Sequence, residues 1–255
     1  MILLDRLRHA FYTLRDRKDL FLLLAVAALM AGGWSFAELA DWVSDGDART
    51  ADEAILMFFR SASDLADPIG GSAIEEAMRD LTAMGSVFVT TLVSVVSASY
   101  FLLDQRPRAA LLLASIIVLG VGVVFALKFG IHRPRPDLVP HAMDALSPSF
   151  PSGHAATAAV VYLTIGSLVA RAAARRRIKV FVIGLALVLT LGVGISRVYL
   201  GVHWPTDVLA GWTIGAVWAL GGWLIERHLQ RRGWIERNRI GDRDEPAPVR
   251  QPGVV

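Results

Sequence analysis

Three stretches of the chain combine residue types able to grip and transfer a highly charged anion. KFGIHRPRP (128–136) carries Lys128 and Arg135, PSGH (151–154) carries Ser152, Gly153 and His154, and SRVYLGVHWPTD (196–207) carries Arg197, His203 and Asp207. Arginine matches phosphate oxygens with a bidentate fork, and lysine adds a point charge. Ser152 is a good helix N-cap, Gly153 lets a ligand approach the backbone, and a helix N-terminus offers free amides and the positive end of its dipole. Converged, these groups make an anion site that suits phosphate better than carboxylate.

The histidines add reactivity. His203 precedes Asp207 by four residues with Pro205 between them, and proline is favoured at the first position of a helix. That leaves His203 just ahead of a helix and Asp207 in its first turn, within hydrogen-bonding reach. A carboxylate on one ring nitrogen fixes the tautomer and makes the other nitrogen a better nucleophile. His154, from a different segment, is placed to protonate a leaving oxygen. A nucleophile, its orienting carboxylate, a general acid and several cations together describe phosphoryl transfer without a metal, the cations and amides stabilising the group in flight. Each feature alone has a plainer reading: a snorkelling interfacial cation, a simple helix cap, a structural His–Asp hydrogen bond. Arg133 competes with Arg135, because HRPRP holds two Arg-Pro pairs; His132 and His141 read as loop histidines.

The elements that must position these residues are membrane helices. Of the 255 residues 54% are hydrophobic, mean hydropathy is +0.49, and the apolar residues fall in blocks of bilayer-spanning length. Six blocks are expected to span, at 20–40, 81–103, 109–127, 155–170, 178–195 and 208–225. The first is long enough, and far enough from the start, to be an uncleaved helix rather than a signal peptide. The fold class expected is all-α: a polytopic membrane protein with six transmembrane helices. Its parts are a cytoplasmic N-terminal segment (1–19), a membrane domain (20–227) and a cytoplasmic, largely disordered tail (228–255).

Charge orients this bundle. With the N-terminus inside, 19 of the 26 Lys and Arg fall on the cytoplasmic side and 7 on the other, so both termini are expected in the cytoplasm. His9 and His228 then lie inside, away from the three stretches. The net charge of +3 is topological and calls for no nucleic acid partner. All three chemically active stretches land on the extracytoplasmic side, and that co-occurrence outweighs the plainer readings. Between the first two spans, 41–80 carries ten acidic residues. Ile55, Phe58, Phe59, Ala62 and Leu65 recur there at helical spacing, predicting an amphipathic helix lying on the outer leaflet or packed on the protein as a lid. The chain has no cysteine, which excludes disulfides, thiolate nucleophiles and cysteine-held metals.

The arrangement closely resembles the type-2 phosphatidic acid phosphatase superfamily, whose signature is K-x6-R-P, P-S-G-H and S-R-x5-H-x3-D. Lys128 to Arg135-Pro136, Pro151 to His154, and Ser196-Arg197 through His203 to Asp207 match it at every defining position. The K-x6-R-P spacing selects Arg135 over Arg133. The resemblance implies a phosphatase that needs no metal or other cofactor and works through a phosphohistidine. His203 would be the nucleophile, Asp207 its orienter, and His154 the acid that protonates the leaving group and later helps activate water. Lys128, Arg135, Ser152, Gly153 and Arg197 would hold the phosphate. Membrane members act on lipid phosphates or diphosphates, including phosphatidic acid, phosphatidylglycerophosphate and polyprenyl diphosphate. The localisation expected is a bacterial-type inner or plasma membrane. Two alternatives share the same pocket: a lipid phosphotransferase using the same intermediate, and a non-catalytic lipid-phosphate binder or transporter.

Overall fold

The computed structural model describes residues 17–138 and 147–236, and all regular structure in them is helical. His141, most of the N-terminal segment and most of the proposed tail lie outside the described residues. In chain order the helices are α1 (Arg17–Ser44), α2 (Arg49–Phe58), α3 (Gly71–Ala83), α4 (Val87–Leu103), α5 (Pro107–Lys128), α6 (Gly153–Ala158), α7 (Thr164–Ala172), α8 (Arg176–Tyr199) and α9 (Pro205–Arg231). A π turn, Ala159–Leu163, joins α6 to α7, and the run Gly153–Ala172 serves as one span.

Among the described residues five spans are long and apolar enough to cross a bilayer, and a sixth exists if α3 and α4 together count as one broken crossing. The apolar block at 81–103 is therefore no single straight helix: α3 and α4 meet at 52°. The cause is local. The Ser86 hydroxyl accepts from the Val89 amide at 3.2 Å and starts a new helix. Gly85 meanwhile lets the elbow wedge between neighbours, since a Cβ there would sit 2.4 Å from Val193 and 3.2 Å from His154. The Tyr162 hydroxyl donates to the Met84 carbonyl at 2.6 Å and pins the elbow down.

The 41–80 segment also departs from its sequence pattern. Its helix α2 ends at Phe58, so Phe59, Ala62 and Leu65 do not share a helical face with Ile55. Beyond it, Arg60 and Pro68 form an isolated antiparallel bridge, and Arg60 donates to the Tyr199 carbonyl at 2.8 Å. Leu56 is fully buried against Ala155, Val198, Trp204 and Val208, while Ile55 and Phe58 stay exposed. Asp52, on the same helix, is 0% exposed. Burying an acid that completely requires partners, and they prove to be part of the site.

Close packing organises the centre. Helix α9 carries Gly211 and Gly215 four residues apart, facing Ala155, Ala156 and Ala159 across the interface. Small residues at such spacing let membrane helices approach until van der Waals contact and backbone polarity hold them. A Cβ on Gly215 would lie 2.4 Å from the Ala159 Cβ and 2.8 Å from the Ala156 carbonyl. The bundle's outside is apolar instead: Leu23, Val96, Leu111, Val118, Phe181 and Val188, from four of the spans, are all exposed. A surface of that kind is suited to lipid rather than water.

The α6–α9 contact yields a stability test. Gly215→Ala is expected to lower the melting temperature in detergent, because overpacking costs about 1–3 kcal/mol and outweighs the helix propensity gained. Gly122→Ala, at a helical position with nothing within 4 Å of the added carbon, is expected to melt at or above the parent. Equal melting of the two variants would contradict the packing described.

Candidate active site

Every chain reversal that carries one of the three stretches lies at the same end of the bundle. Helix α5 ends there with Lys128, α6 begins there after Ser152, α8 ends there beyond Arg197, and α9 begins there at Pro205. The opposite end is closed by different contacts, among them Arg171 to Glu226 and Arg108 to the Trp234 carbonyl.

The cations surround the start of α6. Lys128 Nζ donates to the Pro148 carbonyl at 3.1 Å, and its Cε lies where a Cβ on Gly153 would come within 3.0 Å. Glycine is what lets an ammonium group come so close to the first turn. Arg135 donates to the Ser147 carbonyl at 3.1 Å and to the Val202 carbonyl at 2.7 Å, and its Nη1 lies 3.3 Å from His203 Nε2. Arg197 donates to the Thr82 hydroxyl at 3.2 Å, so the α3–α4 elbow reaches into the site as well. The charges of Arg197, Lys128 and Arg135 all act on His154. Ser152 is fully buried, and its hydroxyl has no hydrogen-bond partner among the described residues. Its amide donates to the Asp207 carbonyl at 3.0 Å, which ties the α6 start to the α9 start. An unsatisfied buried hydroxyl is costly, and here it lies among cations, where an anion's oxygen would satisfy it.

His203 is buried between two differently charged surroundings. Arginine has no acceptor, so the nitrogen facing Arg135 is the one with the lone pair. The proton then sits on Nδ1, which is 3.3 Å from the Ser149 hydroxyl and 3.4 Å from Asp207 Oδ2. Ser149 donates in turn to that same carboxylate oxygen. Burial pushes the His203 imidazole down to about 3, Asp207 opposing the shift and Arg197 and Arg135 adding to it. The ring is neutral at ordinary pH, with Nε2 free to act as a nucleophile. Burial also lowers the Arg135 guanidinium from its usual range, against the attraction of Asp207.

The eight residues expected from the sequence thus meet in one place, and several unexpected residues join them. Arg133, passed over in favour of Arg135, is the most connected. Its guanidinium donates to Asp207 Oδ1 at 2.6 Å, to the Thr206 hydroxyl at 2.8 Å and to Asp52 Oδ2 at 2.6 Å, and it stacks over the Trp204 ring at 5.5 Å. Asp52 also accepts from the Thr206 amide at 2.9 Å and the Thr206 hydroxyl at 2.6 Å. Ser149 is the other omission. It stands just ahead of the PSGH stretch, and the sequence offers no sign that its side chain turns back toward the His–Asp pair. For Arg133 the sign was present in the second Arg-Pro pair, but spacing alone assigned it no partner.

The His203 environment gives a pH test with a definite sign. Below about 6.5 the unfolded chain takes up a proton at this position, whereas the folded chain does so only near 3. His203 therefore contributes stability above the unfolded value that is progressively lost as pH falls toward the folded one. Between pH 7 and pH 5 the parent should lose on the order of 2 kcal/mol more stability than His203→Gln. Melting curves of both proteins at the two pH values check this; parallel losses would mean that the ring is not buried neutral.

The comparisons with known proteins agree with this geometry. Residues 108–231 match the model of the PAP2 superfamily, the type-2 phosphatidic acid phosphatases. Phosphatidylglycerophosphatase B of Bacillus subtilis (strain 168) is 36% identical over 184 residues, covering 71% of this chain and 85% of its own. Lipid A 1-phosphatase of Rhizobium etli is 32% identical over 183 residues, covering 61% and 72%. The crystal structure of a transmembrane PAP2-type phosphatidylglycerolphosphate phosphatase from Bacillus subtilis is similar at a TM-score of 0.69 and 29% identity, over 80% of this chain and 98% of that one. With the helical bundle, the converged stretches and these relatives together, the chain belongs to the PAP2 superfamily as an integral-membrane phosphatase of that type.

Proposed function

We propose that this protein hydrolyses a lipid phosphate or diphosphate through a phosphohistidine, on the extracytoplasmic side of the membrane. The observation that carries the reading is the placement of His203: Nδ1 faces Ser149 and Asp207 behind it, and Nε2 faces Arg135 in front. Lys128, Arg135, Arg197, the Ser152 hydroxyl and the backbone at Gly153 hold the phosphate oxygens. His203 Nε2 attacks phosphorus, the bond to the lipid oxygen breaks, and that oxygen leaves with the electron pair and a proton from His154. Asp207 stabilises the resulting phosphoimidazolium without moving. Water then attacks phosphorus, His154 takes its proton, the P–N bond breaks, and inorganic phosphate leaves with neutral His203 restored.

The lipid half of the substrate has support of its own. A groove of about 310 Å³ between α4, α5 and α6 is lined by Val87, Val95, Ile117, Val118 and Val121, with Thr90 and Thr157. Thr157 stands one turn below His154 on the same helix, so a chain attached to a bound phosphate has an apolar path along the bundle. Several relatives are named for lipid substrates: phosphatidylglycerophosphate, lipid A and undecaprenyl diphosphate. The chain's own charge distribution, 19 basic residues against 7, supports a cytoplasmic position for both termini and an extracytoplasmic site. The parts follow suit: a short cytoplasmic lead at 1–19, the membrane domain at 20–227 and a cytoplasmic tail at 228–255.

Phosphate release from phosphatidic acid, phosphatidylglycerophosphate and a polyprenyl diphosphate, assayed in detergent with a chelator present, tests the chemistry. Undiminished activity in chelator is expected, with a loss of at least about 10³-fold in His203→Ala. Full activity in His203→Ala would sink the mechanism, and labelled phosphate found in a lipid product instead of in solution would assign transfer rather than hydrolysis. Sidedness is open to thiol labelling, since the chain has no native cysteine. In intact cells a membrane-impermeant maleimide should label Leu65→Cys and spare Arg175→Cys; the reverse pattern would invert the topology.

A further inference from the structure

The first motif contributes two arginines to the site, and the proposed chemistry uses only Arg135. Arg133 does not face the phosphate cradle. It lies behind the His–Asp pair, with its side chain 11% exposed, between two carboxylates that are themselves almost wholly buried. One terminal nitrogen holds Asp207 Oδ1 and the other holds Asp52 Oδ2, both at 2.6 Å. Thr206 closes the ring: its hydroxyl accepts from Arg133 and donates to Asp52, and its amide donates to the other Asp52 oxygen. Only a planar fork bridges two acids in this way; an ammonium group is a single point and cannot reproduce it.

The consequence lies in how the Asp207 oxygens are divided. Oδ1 is held by Arg133, so the carboxylate cannot turn without breaking a buried ion pair. Oδ2 is left for the Trp204 amide at 2.9 Å, Ser149 and the His203 Nδ1 side. Without Arg133, Arg135 and Lys128 remain as cations whose charges are already coupled to this carboxylate. An Asp207 free to turn toward those cations would loosen its hold on the Nδ1 side of His203. Helix α2 supplies the other half of the restraint through Asp52, 81 residues away from Arg133.

We propose that Arg133, clamped by Asp52 of α2, is a positioning residue that fixes the Asp207 carboxylate and through it the reactive tautomer of His203. Through Asp52, the 41–80 segment then supplies a structural part of the catalytic apparatus. This rests on the phosphohistidine reading of the site, and the experiment separates the two.

Steady-state kinetics of phosphate release are compared for the parent, His203→Ala, Arg133→Gln, Arg133→Lys, Asp52→Asn and the Arg133→Gln/Asp52→Asn double variant. Removing a group that orients a catalytic residue costs activity by about 10–100-fold. Arg133→Gln is expected to lower kcat within that range while KM stays within about threefold, because the phosphate-holding groups are untouched. Arg133→Lys should recover only part of the loss. Asp52→Asn should act in the same direction more weakly, and the double variant should be no worse than Arg133→Gln, since Asp52 works through Arg133. A kcat for Arg133→Gln within threefold of the parent, a change confined to KM, or additive losses in the double variant would each overturn the positioning role. If Arg133→Gln does not fold, the Arg133→Lys and Asp52→Asn kcat values decide by the same criteria. Unimpaired His203→Ala would instead remove the mechanism beneath the inference.

Discussion

A carboxylate buried at the end of a membrane bundle is tolerable only when its oxygens are supplied with donors. Asp207 is 0% exposed and takes them from separate parts of the chain: Arg133, Ser149, the Trp204 amide and the His203 ring. Meeting that requirement forces the α5–α6 connection, the approach to α6 and the α8–α9 connection to converge on one point. The cluster of cations proposed to cradle phosphate forms on the other side of His203 as a result of the same convergence. Satisfying one acid therefore organises a pocket full of cations that would otherwise repel each other.

The helices and the chemistry were readable in the sequence for different reasons. Bilayer thickness sets a minimum length for each apolar run, so α1, α5, α8 and α9 appear close to where the blocks place them. The triad of motifs was readable because helix ends at one side of a membrane are forced together, and His203 and Asp207 are neighbours within one turn. What local sequence does not reveal is long-range. Asp52 is one of ten acids in an acidic segment, and nothing in periodicity distinguishes an acid that turns inward to an arginine 81 residues away. Arg133 lost to Arg135 on spacing, although both bind within the site. The break at Met84–Ser86 was hidden for the opposite reason: hydropathy continues across it, and the evidence for a bend lies in a cap and a close glycine contact.

Rigidity is unevenly shared. At the closest approach, Gly211 and Gly215 of α9 meet Ala155, Ala156 and Ala159, and Val208 and Trp212 pack beside them, so the start of α6 stands on a firm base. The groove that follows it is lined by branched apolar side chains and a few hydroxyls, a surface that accepts flexible chains of many shapes. On the proposed function, recognition is strict at the phosphate and loose beneath it, and relatives named for chemically different lipids are in keeping with that division.

Both arginines of the first motif stand immediately before a proline, at Pro134 and Pro136. A residue in that position is sterically kept out of the helical region, and the ring that follows has its own φ fixed. The segment thus has few backbone states to lose when it folds, because the restriction already exists in the unfolded chain. Two guanidinium groups that must be held in separate, exact roles are mounted on a strut stiffened by covalent geometry, and much of the order at this site was imposed when the peptide bonds were made.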